Sequence, residues 1–189
     1  MRWVLPGVIL VLGCIIGMLA YVRMTGLRAT VAPGAVETRL ARIARGVAIP
    51  ADARDRPNPV AATPEAVAAG RAHFADHCAL CHANDGSGNT DLGRGMYPQP
   101  PDMRLDATQR LTDGELFYII EHGIRFTGMP GFGSGDAAHA AESWQLVHFI
   151  RRLPMLSARE LEEMRQMNPR APAEIRQEVE EERFLRGES

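Results

Sequence analysis

The chain has no lysine, and all 21 of its basic residues are arginine. Every side-chain cation that does not depend on histidine is therefore a permanently charged planar fork, suited to any carboxylate it meets. Cysteine is nearly as scarce. Three cysteines are too few for a disulfide framework, and two of them, Cys78 and Cys81, stand in one five-residue motif. A basic stripe is also missing, which excludes the electrostatic footprint of a nucleic-acid binder. There is no alternating strand pattern, no hairpin signal and no internal repeat, so a β architecture and a solenoid are excluded as well.

At 189 residues the chain suffices for one compact domain with appendages. Its net charge of −2 hides a segregation. Residues 23–60 hold seven Arg against three acids, residues 61–155 seven against eleven, and residues 156–189 six against nine.

Trp3 to Val22 carries no charge and is bounded by Arg2 and Arg23. That matches the ~20 residues needed to cross a bilayer core. Trp3 and Tyr21 sit at its ends, where amphipathic rings favour the headgroup level. A cleaved signal peptide is the rival reading. The length of the apolar core and the sequence Met18-Leu19-Ala20, which lacks a small residue at −3, favour an uncleaved anchor. Cys14 lies within this run and reads as a small lipid-facing or packing residue. Arg23, Arg28, Arg39 and Arg42 follow the span, whereas only Arg2 precedes it. Taken alone, the positive-inside tendency would put the body of the protein in the cytoplasm.

Val36, Leu40, Ile43 and Val47 fall at helical spacing, with Arg39, Arg42 and Arg45 elsewhere on the wheel. Two readings stand side by side: a basic amphipathic helix on anionic headgroups, and a loosely ordered linker. Pro50 to Pro59 reads as an extended spacer. Helix punctuation is clear beyond it. Thr63-Pro64-Glu65 opens a helix that runs to His77. Leu111 to Leu116 forms a capping box with a staple, and Gly123 ends that helix. Leu146, Phe149, Ile150 and Leu153 make the apolar stripe of a third helix, stopped by Pro154. The body is expected to be all-α, with long Gly/Pro loops at 83–108 and 124–136. Loops of that length need something to organise them, as a large apolar cofactor would. Ser157 and Glu160 cap a further helix, and residues 173–186 favour another.

The chemistry is concentrated in Cys78-Ala79-Leu80-Cys81-His82. Two thiols two residues apart on a helical turn can both reach the vinyl groups along one haem edge, and the adjacent imidazole then faces the iron. A zinc site would need a second pair of ligands, which is absent. A thioredoxin-like dithiol would need a βαβ setting. For the sixth position, Gly128-Met129-Pro130-Gly131 sets a thioether in a loop stiffened by proline, and soft sulfur opposite His stabilises reduced iron. Met129 is preferred, with Met96 and Met103 as competitors that could instead pack. His73, His77, His122, His139 and His148 remain candidates in principle.

Residues 61–155 resemble a class I c-type cytochrome of the membrane-anchored monohaem type. Gly70 and Phe74 carry the resemblance before the haem motif. It continues through Asp85 to Gly88, Pro98 to Asp102, Leu111 to Leu116, Gly123 to Pro130 and the helix from Trp144 to Leu153. The resemblance implies a three-helix haem domain with one covalent haem c, bound by Cys78 and Cys81 and ligated by His82 and Met129. It implies that the first and last helices cross at Gly70, with Phe149 as the aromatic that approaches it. It further implies that a proline carbonyl in the 98–101 loop accepts the His82 imidazole proton. Haem attachment in such proteins occurs outside the bacterial cytoplasmic membrane, which places residues 25–189 in the periplasm against the arginine count.

The expected organisation is a transmembrane anchor over 1–24, a periplasmic tether over 25–60, the haem domain over 61–155 and a charged helical extension over 156–189. The expected function is one-electron transfer in a respiratory chain, with no substrate transformed. A dehydrogenase or quinol-oxidising complex would donate, and an oxidase, reductase or soluble cytochrome would accept. Two alternatives stand: a cytochrome subunit of a larger membrane oxidoreductase, and a haem sensor or peroxidase-like protein with an open sixth position, in which Arg125 or His122 would matter.

Overall fold

The computed structural model describes residues 4–170 and 172–187, and every regular element among them is helical. Arg2 and Trp3, read above as the outer edge of the anchor, lie outside the described residues.

Helix α1 (Val4–Thr25) is the apolar run. Its 22 residues rise about 33 Å, enough to cross a hydrocarbon core of about 30 Å. None of its apolar window is buried against the rest of the chain. Helix α2 (Ala35–Ala48) follows, so the segment that admitted two readings is helical. Its apolar residues Val36, Leu40, Ile43 and Val47 are all exposed. Arg45 and Gly46 are half-buried, and Ile49 just beyond the helix is buried. At ~100° per residue these two sets lie on opposite sides of the helix. One side of α2 meets the helical body that follows while the apolar stripe faces away from it.

Part of the stretch read as an extended spacer is folded and docked. Ala51–Arg54 forms a helical turn. The Ala53 carbonyl oxygen comes within 2.0 Å of where a Cβ on Gly114 would stand. Thr112 Oγ1 donates to the Arg54 carbonyl (2.6 Å), and Asn58 Nδ2 donates to the Trp144 carbonyl (3.0 Å). The Arg56 guanidinium lies over the rings of Phe117 and Trp144, at 5.1 and 5.6 Å from their centroids.

Helix α3 (Pro64–His73) begins as its punctuation predicts: Thr63 Oγ1 accepts from the Ala66 amide at 3.2 Å, with Pro64 in the first turn. Helix α4 (Asp113–His122) carries the reciprocal capping box of Thr112 and Glu115. Helix α5 (Ala137–Arg152) is capped by Asp136 and buries Trp144, Leu146, Val147, Phe149 and Ile150. The α3–α5 crossing is the tightest packing in the domain. A Cβ on Gly70 would meet the Gln145 carbonyl oxygen at 2.2 Å, so only glycine lets the two backbones approach this closely. The atoms nearest Gly70 are those of the Gln145–Leu146 backbone. Phe149 packs on Phe74, with centroids 5.1 Å apart. A stacked pair, Phe117 on Trp144 at 4.0 Å, closes the core.

Helix α6 (Ala158–Met167) starts at the Ser157–Glu160 capping box and buries Met164 completely in the domain core. Helix α7 (Pro172–Leu185) is exposed wherever its side chains are described.

Candidate haem site

The attachment motif lies at the end of α3, where the helix changes pitch. Phe74–Cys78 is a π-helical turn, and Ala79–His82 returns to α geometry. Such a widened turn holds an extra residue and re-aims the side chains that follow it. The chain then turns sharply at Ala83 (φ 59°), and the Gly88 amide donates to the His82 carbonyl at 2.8 Å, closing the loop beneath the motif.

Cys78, Cys81 and His82 line one cavity of about 310 Å³. Its walls are mainly apolar, from Phe74, Leu111, Leu116, Ile119, Ile120 and Ile150 among others. Met129 lines the same space, as do Met96, Met103 and the proline loop. Of the histidines weighed as further ligands, only His77 borders the cavity; His73, His122, His139 and His148 do not. His148 Nε2 instead faces the Val60 carbonyl at 2.7 Å, and His139 sits beside Asp136. Arg125 is exposed and does not line the cavity either.

Burial governs the protonation of the motif. It pushes the Cys78 thiol up to about 12, with Cys81 adding to the effect, and it raises Cys81 as well. A catalytic dithiol needs the opposite, a stabilised thiolate. Burial also pushes the His82 imidazole down to about 4, so the ring is neutral, which is the form that ligates metal. His82 Nδ1 is buried without a hydrogen-bond partner. The expected bond from this atom to a proline carbonyl of the 98–101 loop is not formed; the Pro100 carbonyl oxygen lies against Gly88, 2.4 Å from where its Cβ would be. Among the described residues, no group of three or more His, Cys, Asp or Glu side chains could hold a metal ion by itself.

The Met129 loop is held at both ends. Gly123 turns with φ 66°, and a Cβ there would stand 2.6 Å from the Met129 carbonyl oxygen. The Ile124 amide donates to that carbonyl (3.1 Å), and the Met129 amide donates to Thr127 Oγ1 (3.1 Å). Met96 sits beside it, its sulfur 3.1 Å from the Cβ position of Gly128. Met103 is buried in the core, with its amide bonded to the Gly86 carbonyl at 2.8 Å.

Neutral thiols and a neutral imidazole on one turn, opening into an apolar cavity roofed by methionines, define a c-type cytochrome domain. Residues 65–150 match the family described as "Cytochrome C oxidase, cbb3-type, subunit III", and this segment is a class I c-type cytochrome domain. The match spans just under half of the chain. No curated protein matches it. The domain carries covalently bound haem c and transfers electrons. The residues present fit that group: Cys78 and Cys81 would hold it, His82 would ligate it, and the apolar walls would enclose it. Bound there, haem supplies a reversible one-electron couple.

One cavity residue carried no signal in the sequence. Arg45 of α2 lines the haem cavity from outside the matched segment.

Proposed function

We propose that the protein is a membrane-anchored, monohaem electron carrier of a respiratory chain, with iron ligated by His82 and Met129. The observation that carries this reading is the shared cavity of His82 and Met129, together with the doubly anchored Met129 loop. A rigid loop offers its thioether with little reorganisation between oxidation states. Neither Arg125 nor His122 borders the cavity, which disfavours a sensor or peroxidase-like protein. The test is optical. The ferric protein is expected to show the far-red charge-transfer band of an iron–methionine bond. Met129→Ala should abolish it, and Met96→Ala and Met103→Ala should preserve it. A high-spin ferric spectrum in the unmodified protein would rule out the carrier reading.

In this reading α1 is a single-pass anchor in the bacterial cytoplasmic membrane, residues 25–60 connect it to a periplasmic haem domain over 61–155, and 156–189 form an extension. Helix α2 lies along the membrane surface. Its apolar stripe of Val36, Leu40, Ile43 and Val47 faces away from the haem domain, and only residues 26–34 separate it from α1. Leu40→Trp fluorescence in vesicles should be quenched by shallow brominated lipids more than by deep ones. Anchoring confines the search for partners to two dimensions. A membrane dehydrogenase or quinol-oxidising complex would donate electrons, and an oxidase, reductase or soluble cytochrome would accept them.

The description of the matched family favours one second reading, a subunit held within a larger oxidase. Mild detergent extraction separates the two. Stoichiometric co-purifying chains support the subunit, and an isolated chain supports the free carrier.

A further inference from the structure

We infer that Arg45, on the helix before the haem domain, binds a haem propionate and so makes α2 part of the haem site. The inference rests on covalent haem at Cys78 and Cys81, and it is independent of which methionine ligates the iron.

Haem brings two carboxylates into a cavity whose walls are mainly apolar, and each needs a counter-charge or hydrogen-bond donors once water is excluded. Arg45 is the one permanently charged residue among the described residues that line the cavity. It is half-buried, and its guanidinium makes no hydrogen bond or ion pair with any described residue. Glu115, the acid whose charge Arg45 feels, is already engaged: Arg54 Nε donates to its Oε1 at 3.0 Å and the Thr112 amide to its Oε2 at 2.8 Å. Arg151, a further cation near the start of α4, is committed to Asp113 and to the carbonyls of Gln109 and Leu111. A half-buried guanidinium that feels Glu115 only at a distance and makes no hydrogen bond, at the wall of this cavity, is matched in both charge and shape to a carboxylate ligand.

The helix that carries Arg45 is held in place at both ends. Near its start, Tyr97 Oη donates to Glu37 Oε1. Near its end, Arg54 Nη2 donates to the Gly46 carbonyl, the residue next to Arg45. Arg54 in turn is fixed by Glu115 at the start of α4. The guanidinium is therefore presented from a segment anchored to two parts of the haem domain, the proline loop and the α4 N-terminus.

The test uses the full-length, haem-loaded protein in detergent. Reduction potentials are measured by spectroelectrochemistry for the unmodified chain, Arg45→Gln, Arg45→Lys and Arg42→Gln. The propionate bending bands are recorded by resonance Raman. A positive charge beside a propionate favours ferrous iron, so Arg45→Gln should lower the potential and shift a propionate band. Arg45→Lys should recover most of the potential. Arg42→Gln removes the same charge from an exposed position on the same helix and should move the potential less and leave the bands alone. Equal shifts from Arg42→Gln and Arg45→Gln, or an unmoved propionate band in Arg45→Gln, would overturn the inference. A mass measurement on the unmodified chain that finds no covalent haem would instead overturn the haem reading itself.

Discussion

Two segments outside the matched domain dock on it by different chemistry. Residues 45–60 reach it largely through backbone carbonyls, an amide and guanidinium groups, around the start of α4 and the cavity wall, with Ile49 buried and Val60 packed on the core beside them. Residues 156–168 reach it mainly through Met164, which is completely buried, aided by the Arg71–Glu163 ion pair at 2.9 Å and Asn84 donating to Asn168 at 2.9 Å. Polar attachment is directional and fixes orientation, whereas apolar burial is larger in energy and tolerant of geometry. The contrast suggests a division of labour. The preceding segment sets where a charged group stands relative to the haem, and the following segment adds stability.

The largest perturbation tests what both segments presuppose, a domain organised around haem. Cys78→Ser with Cys81→Ser should eliminate covalent haem, seen as loss of haem staining after denaturing electrophoresis. It should also loosen the 83–108 loop, seen as rapid amide exchange there. Protection of that loop without haem would break the premise. Next in size is Gly70→Val. The Cβ would stand 2.2 Å from the Gln145 carbonyl oxygen, and backbone cannot yield as a side chain can. Forcing α3 from α5 should cost about 3 kcal/mol or more, measured by denaturant unfolding of the haem-loaded protein.

Much of this was legible beforehand, and the reasons are local. The caps at Thr63, Thr112 and Ser157, and the stop at Gly123, act through neighbours within a few residues, so their spacing alone located the helices. The Cys78–His82 motif is equally local. What escaped depends on tertiary geometry. That Gly70 lies against the Gln145 carbonyl depends on how α3 and α5 cross. The Ala51–Arg54 turn forms next to prolines because Gly114 leaves room for its carbonyls. Arg45 looked like one more arginine of a basic helix, and only the docking of α2 brings it to the cavity.

Met164→Ala addresses the following segment. Truncating a fully buried methionine should cost about 2–4 kcal/mol, lowering the denaturation midpoint. The reduction potential should stay where it is, because Met164 does not line the haem cavity. A shifted potential with unchanged stability would reverse the roles assigned to the two segments.

Arg54→Gln is the smallest change and the most discriminating for the preceding segment. Arg54 joins Gly46 of α2 to Glu115 of α4. Its side chain is 40% exposed, so solvent screens the ion pair, and Glu115 keeps the Thr112 amide when the guanidinium is lost. The cost in stability should therefore be about 1 kcal/mol or less. The effect on orientation should be disproportionate. With its C-terminal tie cut, α2 is held mainly by Tyr97 at its start and by Ile49 beyond its end, and the Arg45 guanidinium is free to swing from the cavity. The potential should fall in the same direction as in Arg45→Gln, and the double variant Arg45→Gln with Arg54→Gln should fall no further than Arg45→Gln alone. That non-additivity is the mark of two residues acting through one contact. Additive shifts would mean that Arg54 acts only as a distant charge, and the polar segment would then be a fastening like Met164 rather than a part of the haem site.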